Sequence, residues 1–350
     1  MTHIVRRRLC AGLTVGLLAA TLIAPGVATA GPRSDSVPAC MMHPLPLPAG
    51  VSLARERMFT DPAGQVIVGT GSRTTDQGRE SLLLRWDGPR VTVLTRSPGS
   101  LLAVNRQGVL IGEGPSEAGY PPWRYRDGQL EWLPRAPNGI GGYVMAINGR
   151  GDMVGFGGYL EYPEPLLWPA DRPGTVERFE PTGYPVAIFD DGTIVGVAPA
   201  EEDRSPGVAG VRHPARREGL PPPVAWVRRP DGRIDRLTAA GADMSTVVAA
   251  RGNWAVGYVG TTANGQFDRM MRWDLRTGVA TPVKPGLSYL TGVDSSGSLL
   301  ADATVDHFGR RVPLRGVAWD ASTGLSADAI ADNGTVVGST PGRPLRWSGC

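Results

Sequence analysis

The stretch Ala146–Gly155, with the sequence AINGRGDMVG, decides the fold because versions of it recur along the whole chain. It predicts one strand, a tight polar turn and a second strand that ends at a glycine. The other copies are Ala103–Gly112, Ala187–Gly196, Gly292–Ala301 and Ala329–Gly338 and, with one extra residue each, Phe59–Gly69 and Val247–Gly257. These copies indicate that one structural unit is repeated along the 350 residues.

The turn glycines give the length of the unit. They are Gly64, Gly108, Gly151, Gly192, Gly252, Gly297 and Gly334, and successive ones are 44, 43, 41, 60, 45 and 37 residues apart. A period in the low forties built from strand-like segments is typical of a four-stranded propeller blade. A helical solenoid is the competing repeat, but 48 glycines and 32 prolines disfavour long helices. The period therefore predicts an all-β, seven-bladed β-propeller.

Four strands can be placed in a typical unit. The residue four positions before the turn glycine is β-branched in every copy, and an apolar run follows the turn, so both segments suit strands of one sheet. A tryptophan then marks the third strand: Trp86, Trp123, Trp168, Trp226, Trp273, Trp319 and Trp347. Each indole is expected to pack between neighbouring blades. Fourth strands are predicted at Arg90–Leu94, Gln129–Leu133, Thr175–Phe179, Arg233–Leu237 and Val279–Val283.

The two ends of the chain complete each other. The last unit has three strands, the third at Pro344–Trp347, and no fourth strand follows it. Met42–Gly50, ahead of the first unit, resembles the fourth strand and linker of a blade, as in Gln129–Gly139. We therefore expect the N-terminal strand to pair with the C-terminal blade, which closes the ring and leaves no open sheet edge.

Cys40 and Cys350 lie at the two ends of the repeat region. In an oxidising compartment two such cysteines are expected to pair, and the proposed ring closure brings their two segments together. A disulfide between them would lock the closing sheet. Two free, unrelated thiols are the alternative.

Residues 1–30 have the features of a signal peptide. Arg6, Arg7 and Arg8 precede an apolar stretch, which is short for a membrane span, and Ala28–Ala30 suits a cleavage site. Residues 31–39 are a polar, disordered leader in this interpretation, and residues 40–350 form a single propeller. The expected product is a secreted monomer with no stable membrane insertion. The sequence leaves the export route, general or twin-arginine, open.

The charge of the chain argues against nucleic acid as a partner. The whole sequence has 36 basic and 33 acidic residues, a net charge of +3, and the three arginines of the signal peptide account for this excess. The processed chain is therefore neutral and has no general attraction for polyanions or anionic membranes.

Tyrosines mark one face of the predicted disc. The longest loops should join second to third strands and emerge together: Thr70–Ser81, Glu113–Pro122, Gly157–Pro165, Pro199–Pro223, Tyr258–Arg269 and Asp302–Arg315. Tyr143, Tyr184 and Tyr289 each lie eight residues before a turn glycine, at the expected channel mouth, and Tyr159, Tyr162 and Tyr258 lie on adjacent loops. Such tyrosines could stack on a sugar or an aromatic ring. Plugging the channel or packing between blades is the alternative.

Signals of catalysis are weak. His43, His213 and His307 are each isolated in sequence, and the chain contains no zinc-type Cys/His spacing, nucleophile elbow or phosphate-binding loop. His213 and His307 could meet on the long-loop face as an acid–base pair, although loop histidines are usually only solvated. We predict no catalytic residue, no metal and no cofactor.

Arg150-Gly151-Asp152 spells a cell-adhesion tripeptide inside the best copy of the repeat. Its glycine occupies the turn position of the unit, and its neighbours vary among the copies. The structural interpretation of this tripeptide is therefore favoured over an adhesive one.

The unit Ala-(Ile/Val)-Asn-x-x-Gly-x-apolar-Val-Gly, followed by a tryptophan, resembles the extracellular HAF-type repeat proteins of bacteria. The similarity extends over nearly the whole processed chain, and Ala146–Gly155 matches best. The His-Ala-Phe-like step before the tryptophan is replaced here, as in Leu166-Leu167-Trp168. The resemblance implies a propeller-like β-repeat and brings no catalytic residues.

Three functions remain open from the sequence. The first is a secreted, non-catalytic binding module for an extracellular glycan, cell-wall component or protein, held on the long-loop face. The second is a propeller hydrolase or lyase that acts on an extracellular polymer. The third is a structural repeat protein without a small ligand.

Overall fold

The computed structural model describes residues 40–54, 56–136, 142–159, 162–199, 222–314 and 325–350. The predicted signal peptide and leader therefore lie outside the described residues. Within the described ranges, seven antiparallel sheets are arranged as the blades of a β-propeller, as predicted. The single 3-10 turn that the structure assigns there is Ser116–Ala118.

The first half of the ring consists of blades I to III, and one strand of blade VII precedes them along the chain. That strand is β1 (Met41–Pro44). Blade I contains β2 (Val51–Leu53), β3 (Phe59–Thr60), β4 (Ile67–Thr75), β5 (Gly78–Asp87) and β6 (Arg90–Arg96); blade II contains β7 (Ser100–Val104), β8 (Leu110–Glu113), β9 (Pro122–Arg126) and β10 (Gln129–Trp132); blade III contains β11 (Tyr143–Ile147), β12 (Met153–Tyr159), β13 (Tyr162–Trp168) and β14 (Glu177–Arg178).

The second half of the ring follows the same scheme. Blade IV contains β15 (Tyr184–Ile188), β16 (Ile194–Pro199), β17 (Pro223–Arg228) and β18 (Ile234–Leu237); blade V contains β19 (Met244–Arg251), β20 (Trp254–Thr261), β21 (Gln266–Asp274) and β22 (Ala280–Pro282); blade VI contains β23 (Leu290–Val293), β24 (Leu299–Ala301), β25 (Thr304–His307) and β26 (Arg310–Pro313); blade VII contains β27 (Ser326–Ile330), β28 (Val336–Thr340) and β29 (Arg343–Ser348). In blades II to VI the sheet order follows the chain order.

The ring closes between the two ends of the chain, as predicted. Strand β1 is the fourth strand of blade VII and pairs antiparallel with β29, with His43 opposite Arg346. Cys40 and Cys350 form a disulfide there, and their Cα atoms are 4.6 Å apart. The linker that follows β1 also behaves like an ordinary blade linker, because Pro46 accepts a hydrogen bond from the indole of Trp86 at 2.7 Å.

The glycine that ends most copies of the repeat is explained by a bulge in the innermost strand. In blade III the register between β11 and β12 shifts between Val144 and Ala146, and Gly155 lies opposite Val144. A Cβ atom at Gly155 would collide with the carbonyl group of Tyr143. The same bulge occurs in the innermost strands of blades II to VII, so the repeat favours glycine at this position, and blade VI has the small Ala301 instead.

The core lies between the blades. Each cluster of buried apolar residues in the described part of the chain joins two adjacent sheets; one contains Val195 and Val227 of blade IV together with Ala255 and Trp273 of blade V. Six tryptophans of the third strands are at most 2% exposed: Trp86, Trp123, Trp168, Trp226, Trp273 and Trp347. Burial of these large indoles makes each blade depend on its neighbour.

Blade VI departs from the sequence prediction. Its third and fourth strands are β25 and β26, so the predicted loop Asp302–Arg315 is largely sheet, and Trp319 lies outside the described residues. In blade VI, Asp306 lies opposite Leu299 of the second strand. Trp168 and Trp347 occupy the equivalent position in the third strands of their own blades. Here a buried ion pair replaces the indole.

The buried pair in blade VI consists of Asp306 and Arg272, which comes from blade V. Nη2 of Arg272 lies 3.4 Å from Oδ1 of Asp306, and both side chains are buried. The guanidinium also stacks over the ring of Phe308, 3.9 Å from its centroid. The strand was missed in the sequence because no tryptophan marks it.

Most of the predicted loops between second and third strands are instead tight hairpins. The strands of Thr70–Ser81, Gly157–Pro165 and Tyr258–Arg269 continue almost to the tips of these hairpins. A longer connection is present at Glu113–Pro122, which contains the 3-10 turn. Residues 200–221, the centre of the predicted long loop Pro199–Pro223, lie outside the described residues.

Candidate functional site

The two faces of the disc are defined by its connections. We call the side with the seven turns around Gly64, Gly108, Gly151, Gly192, Gly252, Gly297 and Gly334 the turn face. We call the opposite side, where second strands lead into third strands, the hairpin face. Innermost strands therefore begin at the hairpin face and end at the turn face.

On the turn face, Asn148 joins its own turn to the turns on either side. Its side-chain oxygen accepts hydrogen bonds from the N–H groups of Arg150 and Asp152, both at 2.9 Å. Its amide nitrogen donates to the carbonyl of Phe189 in blade IV at 3.0 Å, and Asn105 of blade II donates to the carbonyl of Asn148 at 3.0 Å. These buried amides hold blades II to IV in register.

The Arg150-Gly151-Asp152 tripeptide belongs to this structural network. Asp152 is 9% exposed, and Arg150 binds it at 2.8 Å, so the two charged ends of the tripeptide pair with each other. Burial alone would raise the pKa of Asp152, but hydrogen bonds from Ala170 and Asn148 and the charge of Arg150 hold it below its usual range. The structural interpretation of the tripeptide therefore agrees with its contacts.

His307 also lies on the turn face, which contradicts its predicted place on the long-loop face. It ends β25, and its ring bonds the hydroxyl of Ser298 at 2.7 Å and the carbonyl of Cys350 at 2.8 Å. His307 therefore fastens the C-terminal residue to blade VI. His213, its proposed partner, lies outside the described residues. His43, on the closing strand β1, bonds Ser348 of β29 at 3.0 Å.

The predicted tyrosines do lie at the hairpin face, but they form two separate groups. Tyr143 and Tyr184 begin the innermost strands β11 and β15, as expected from the repeat. Tyr289 immediately precedes β23, and Tyr258 lies in β20. The side chains of Tyr159 and Tyr162 lie outside the described part of the structure.

The first group is an aromatic cluster that spans blades II to IV. Tyr143 lies between Tyr120 and Phe156, with ring centroids 5.4 and 4.7 Å away, and the ring of Phe156 is nearly parallel to it. Tyr184 contacts Phe156 edge-on at 4.9 Å. One face of the Tyr143 ring is therefore stacked on Phe156, whereas Tyr120 remains 38% exposed. The stacked face of Tyr143 is therefore not open to a ligand, although we expected an open ring from the sequence.

Glu113 lies beside this cluster at the end of β8. Its side chain is partly buried, and no hydrogen bond or ion pair reaches its carboxyl group from the described residues. Burial raises the pKa of Glu113 to about 7. Burial, followed by the charge of Glu113 and the neighbouring Tyr120, raises the pKa of Tyr143, so the carboxyl and phenol groups interact.

Glu113, Phe156 and Tyr120 were not identified from the sequence. The residue that follows the last position of each repeat copy is equivalent from blade to blade, at or just beyond the hairpin-face half of the second strand: Thr70, Glu113, Phe156, Val197, Tyr258, Asp302 and Ser339. The residue type at this position differs in every copy. An alignment of the repeats would therefore have singled the position out as variable. Tyr120 lies outside the repeat, after the 3-10 turn, and no sequence pattern identifies it.

The second group joins blades V and VI. The hydroxyl of Tyr258 donates to the carbonyl of Ser288 at 3.1 Å and accepts from the N–H of Leu290 at 3.0 Å. Tyr289 is 63% exposed beside a cavity of about 720 Å³ that Asp302 and Arg311 also line. Both charged side chains bond backbone groups of the preceding linker, so this cavity contains few free polar groups among the described residues.

The central channel contains a cavity of about 610 Å³. Its wall includes the bulge residues Met145, Val186, Val248, Thr291 and Asp328. Burial raises the pKa of Asp328, although its carboxylate accepts a hydrogen bond from the N–H of Met58 at 2.9 Å. Since the carboxylate of Asp328 bonds the backbone of blade I, its role is to join blades VII and I of the ring.

The described residues contain neither a metal-binding cluster nor a membrane-spanning helix. No group of three or more His, Cys, Asp or Glu side chains in these ranges is arranged to hold a metal ion. No helix among them has the length and apolar character needed to cross a bilayer.

The structure is similar to other β-propellers. The β-propeller domain of the Trilobed protease from Pyrococcus furiosus matches with a TM-score of 0.57 and 11% identity, over 86% of this chain and 96% of that one. Streptogramin B lyase matches with 0.52 and 10%, over 89% and 98%, and the acylaminoacyl peptidase of Pyrococcus horikoshii with 0.53 and 10%, over 85% and 50%. No family model and no curated protein matches the sequence. At these identities the likeness shows the fold alone, and this chain has the fold of a seven-bladed β-propeller.

Proposed function

We propose that this propeller is an exported, non-catalytic binding module that holds an extracellular ligand on the hairpin face, over blades II to IV. The observation that carries the proposal is the aromatic cluster of Tyr120, Tyr143, Phe156 and Tyr184 beside Glu113, whose carboxyl group has no partner among the described residues. Aromatic side chains with polar ends suit recognition because they give a large contact area at a small entropic cost.

The contrast with the turn face supports this choice of surface. There the buried polar groups of the turns bond one another across blades, so they stabilise the ring. Glu113 makes no such contact with the described residues, and a partly buried carboxylate without a partner weakens the fold. A carboxyl group that is kept in this position although it lowers the stability of the fold is best explained by a ligand that binds it.

Export and partner class follow from the composition and the disulfide. The Cys40–Cys350 disulfide is typical of an oxidising compartment, in agreement with the predicted signal peptide. The processed chain is neutral, so we propose a glycan, a cell-wall component or a protein as ligand rather than nucleic acid, and a monomer as the binding unit. Membership of the HAF-type repeat proteins remains part of this proposal.

A glycan and cell-wall array probed with the purified protein tests the function. The exposed cluster residue is changed in Tyr120→Ala, and the second tyrosine group in Tyr289→Ala. Phe267→Ala is the control, because Phe267 is an aromatic residue that is 41% exposed and lies at a hairpin tip outside both groups.

We expect Tyr120→Ala to weaken binding by about five- to thirtyfold, as the loss of one aromatic contact of about 1–2 kcal/mol would, and the control to bind like the parent. If only Tyr289→Ala weakened the binding of the ligand, the binding site would be assigned to blades V and VI. Equal binding by all three variants would show that the hairpin face is not the binding surface.

One observation favours the hydrolase or lyase as a second candidate. A carboxyl group whose pKa is about 7 suits general acid–base chemistry near neutral pH, and Glu113 is such a group. If it were catalytic, a bound polymer would be cleaved by the parent and left intact by Glu113→Gln. Mass spectrometry of a ligand incubated with each protein distinguishes turnover from binding.

A further inference from the structure

The hairpin face offers negative charge and hydroxyl groups at one point, beside the aromatic cluster. Glu113 is held in a partly buried position without a described hydrogen-bonding or ionic partner. Arg135, a positive residue of the following linker, donates to the carbonyl of Ala118 at 2.9 Å instead. The carboxylate is therefore available for a positive group brought by a ligand.

The arrangement of the rings limits the kind of positive group. A quaternary ammonium ion binds in a cage of open ring faces because it has no N–H to donate. Here one face of Tyr143 stacks on Phe156, the tilted ring of Tyr120 also contacts it, and Phe156 is itself buried. The rings pack on one another, and the phenol group of Tyr143 interacts with the carboxyl group of Glu113, which suits a cation that donates hydrogen bonds.

We propose that Glu113 and Tyr143 form the contact point for the primary ammonium group of an amino sugar in an extracellular glycan. The carboxylate accepts hydrogen bonds from the ammonium group, and the tyrosine hydroxyl groups bond the sugar hydroxyl groups next to it. Tyr120, with its exposed outer ring, packs against the apolar side of the sugar. This inference rests on the proposed function and names its ligand class.

The burial of Glu113 supports the assignment independently of the rings. The carboxyl group is held where solvent stabilises its charge poorly, as the raised pKa of Glu113 also indicates. A bound cation would replace the missing solvent and stabilise the charged form. A neutral ligand can donate hydrogen bonds to the carboxylate but brings no charge that balances it.

The test is a calorimetric titration of the purified protein near neutral pH. The probes are a glucosamine tetrasaccharide, its fully N-acetylated form, choline and a lysine-rich peptide. Two variants change the site without removing a ring: Glu113→Gln and Tyr143→Phe. Glu117→Gln is the matched control, because it removes the same charge from the exposed 3-10 turn four residues away.

We expect the glucosamine tetrasaccharide to bind at least about tenfold more tightly than its N-acetylated form, as one charge-assisted hydrogen bond would provide. Glu113→Gln should abolish this preference, Tyr143→Phe should reduce it, and Glu117→Gln should keep it. Circular dichroism of each variant verifies that it is folded.

Four results would overturn the inference, each in a different way. Equal affinity for the acetylated and free amines would exclude the ammonium contact while leaving a glycan-binding function in place. Tighter binding of choline or of the lysine-rich peptide would assign the contact to another cation. A preference for the free amine that survives Glu113→Gln would place the contact elsewhere. If an array ligand binds the hairpin face but contains no amine, the proposed function stands and this inference fails.

Discussion

The two faces of the propeller use polar side chains in opposite ways. On the turn face, Asn105 and Asn148 bond across blades, and His307 bonds the last residue of the chain. On the hairpin face, Glu113 has no described partner and Tyr289 projects into solvent. The residues of the turn face largely belong to the repeated motif, whereas those of the hairpin face differ from blade to blade.

This difference separates stability from recognition. A side chain required in each blade recurs because each inter-blade interface poses the same packing and hydrogen-bonding problem. A side chain that occurs in one blade only and has no partner does not contribute to this packing or hydrogen bonding between blades. Changes on the turn face should therefore lower the free energy of unfolding, whereas changes on the hairpin face should affect binding and pH dependence.

The largest expected effect concerns the disulfide that closes the ring. Replacing both cysteines, in Cys40→Ser with Cys350→Ser, removes a constraint across a separation of 310 residues. We expect the free energy of unfolding to fall by up to about 5 kcal/mol, because the unfolded chain gains entropy. Denaturant unfolding of the parent and the double variant measures it. Equal midpoints would mean that strand pairing alone closes the ring.

The second effect concerns the amide network. Asn148→Ala leaves the N–H groups of Arg150 and Asp152 and the carbonyl of Phe189 without this partner, so we expect a loss of about 2–3 kcal/mol. Arg106→Ala is the control, because its ion pair with Asp190 is exposed on the same face and should contribute less than about 1 kcal/mol. Similar losses for both variants would contradict the special role of the buried amides.

The smallest effect concerns Glu113 and depends on pH. Burial raises its pKa from 4.5 to about 7, so between these values the folded protein holds a proton that the unfolded chain has released. Stability should therefore fall as pH rises through this interval, and below it Glu113 should have no effect. Since the group is partly exposed, Glu113→Gln should gain only about 1–2 kcal/mol above neutral pH.

Thermal unfolding of the parent, Glu113→Gln and Glu117→Gln across this pH range measures that effect. The parent and the Glu117→Gln control should lose stability with rising pH, and the Glu113→Gln variant should show a flatter profile. Coincident profiles for all three proteins would indicate that the carboxyl group of Glu113 is well solvated.

Much of the fold was predictable because the repeated residues meet conformational requirements that are local to each blade. The positive φ of the turn glycines, such as 93° at Gly151, and the bulge opposite Gly155 need glycine in almost every blade. Blade VI was mispredicted because its third strand has Asp306 at the position of Trp168 and Trp347 in blades III and VII, and the charge that balances it, Arg272, comes from blade V. A pattern within one unit cannot reveal a partner in the next.

The sequence by itself determined the number of blades, the position of the inner strands and the strand that closes the ring, and it predicted the pairing of Cys40 with Cys350 that the structure shows. These features depend on periodicity and on the chemistry of single positions. Only the tertiary structure decided which aromatic rings meet and that Glu113 lies partly buried without a described partner. These properties depend on distances between residues of different blades, and such distances exist only once the ring has closed.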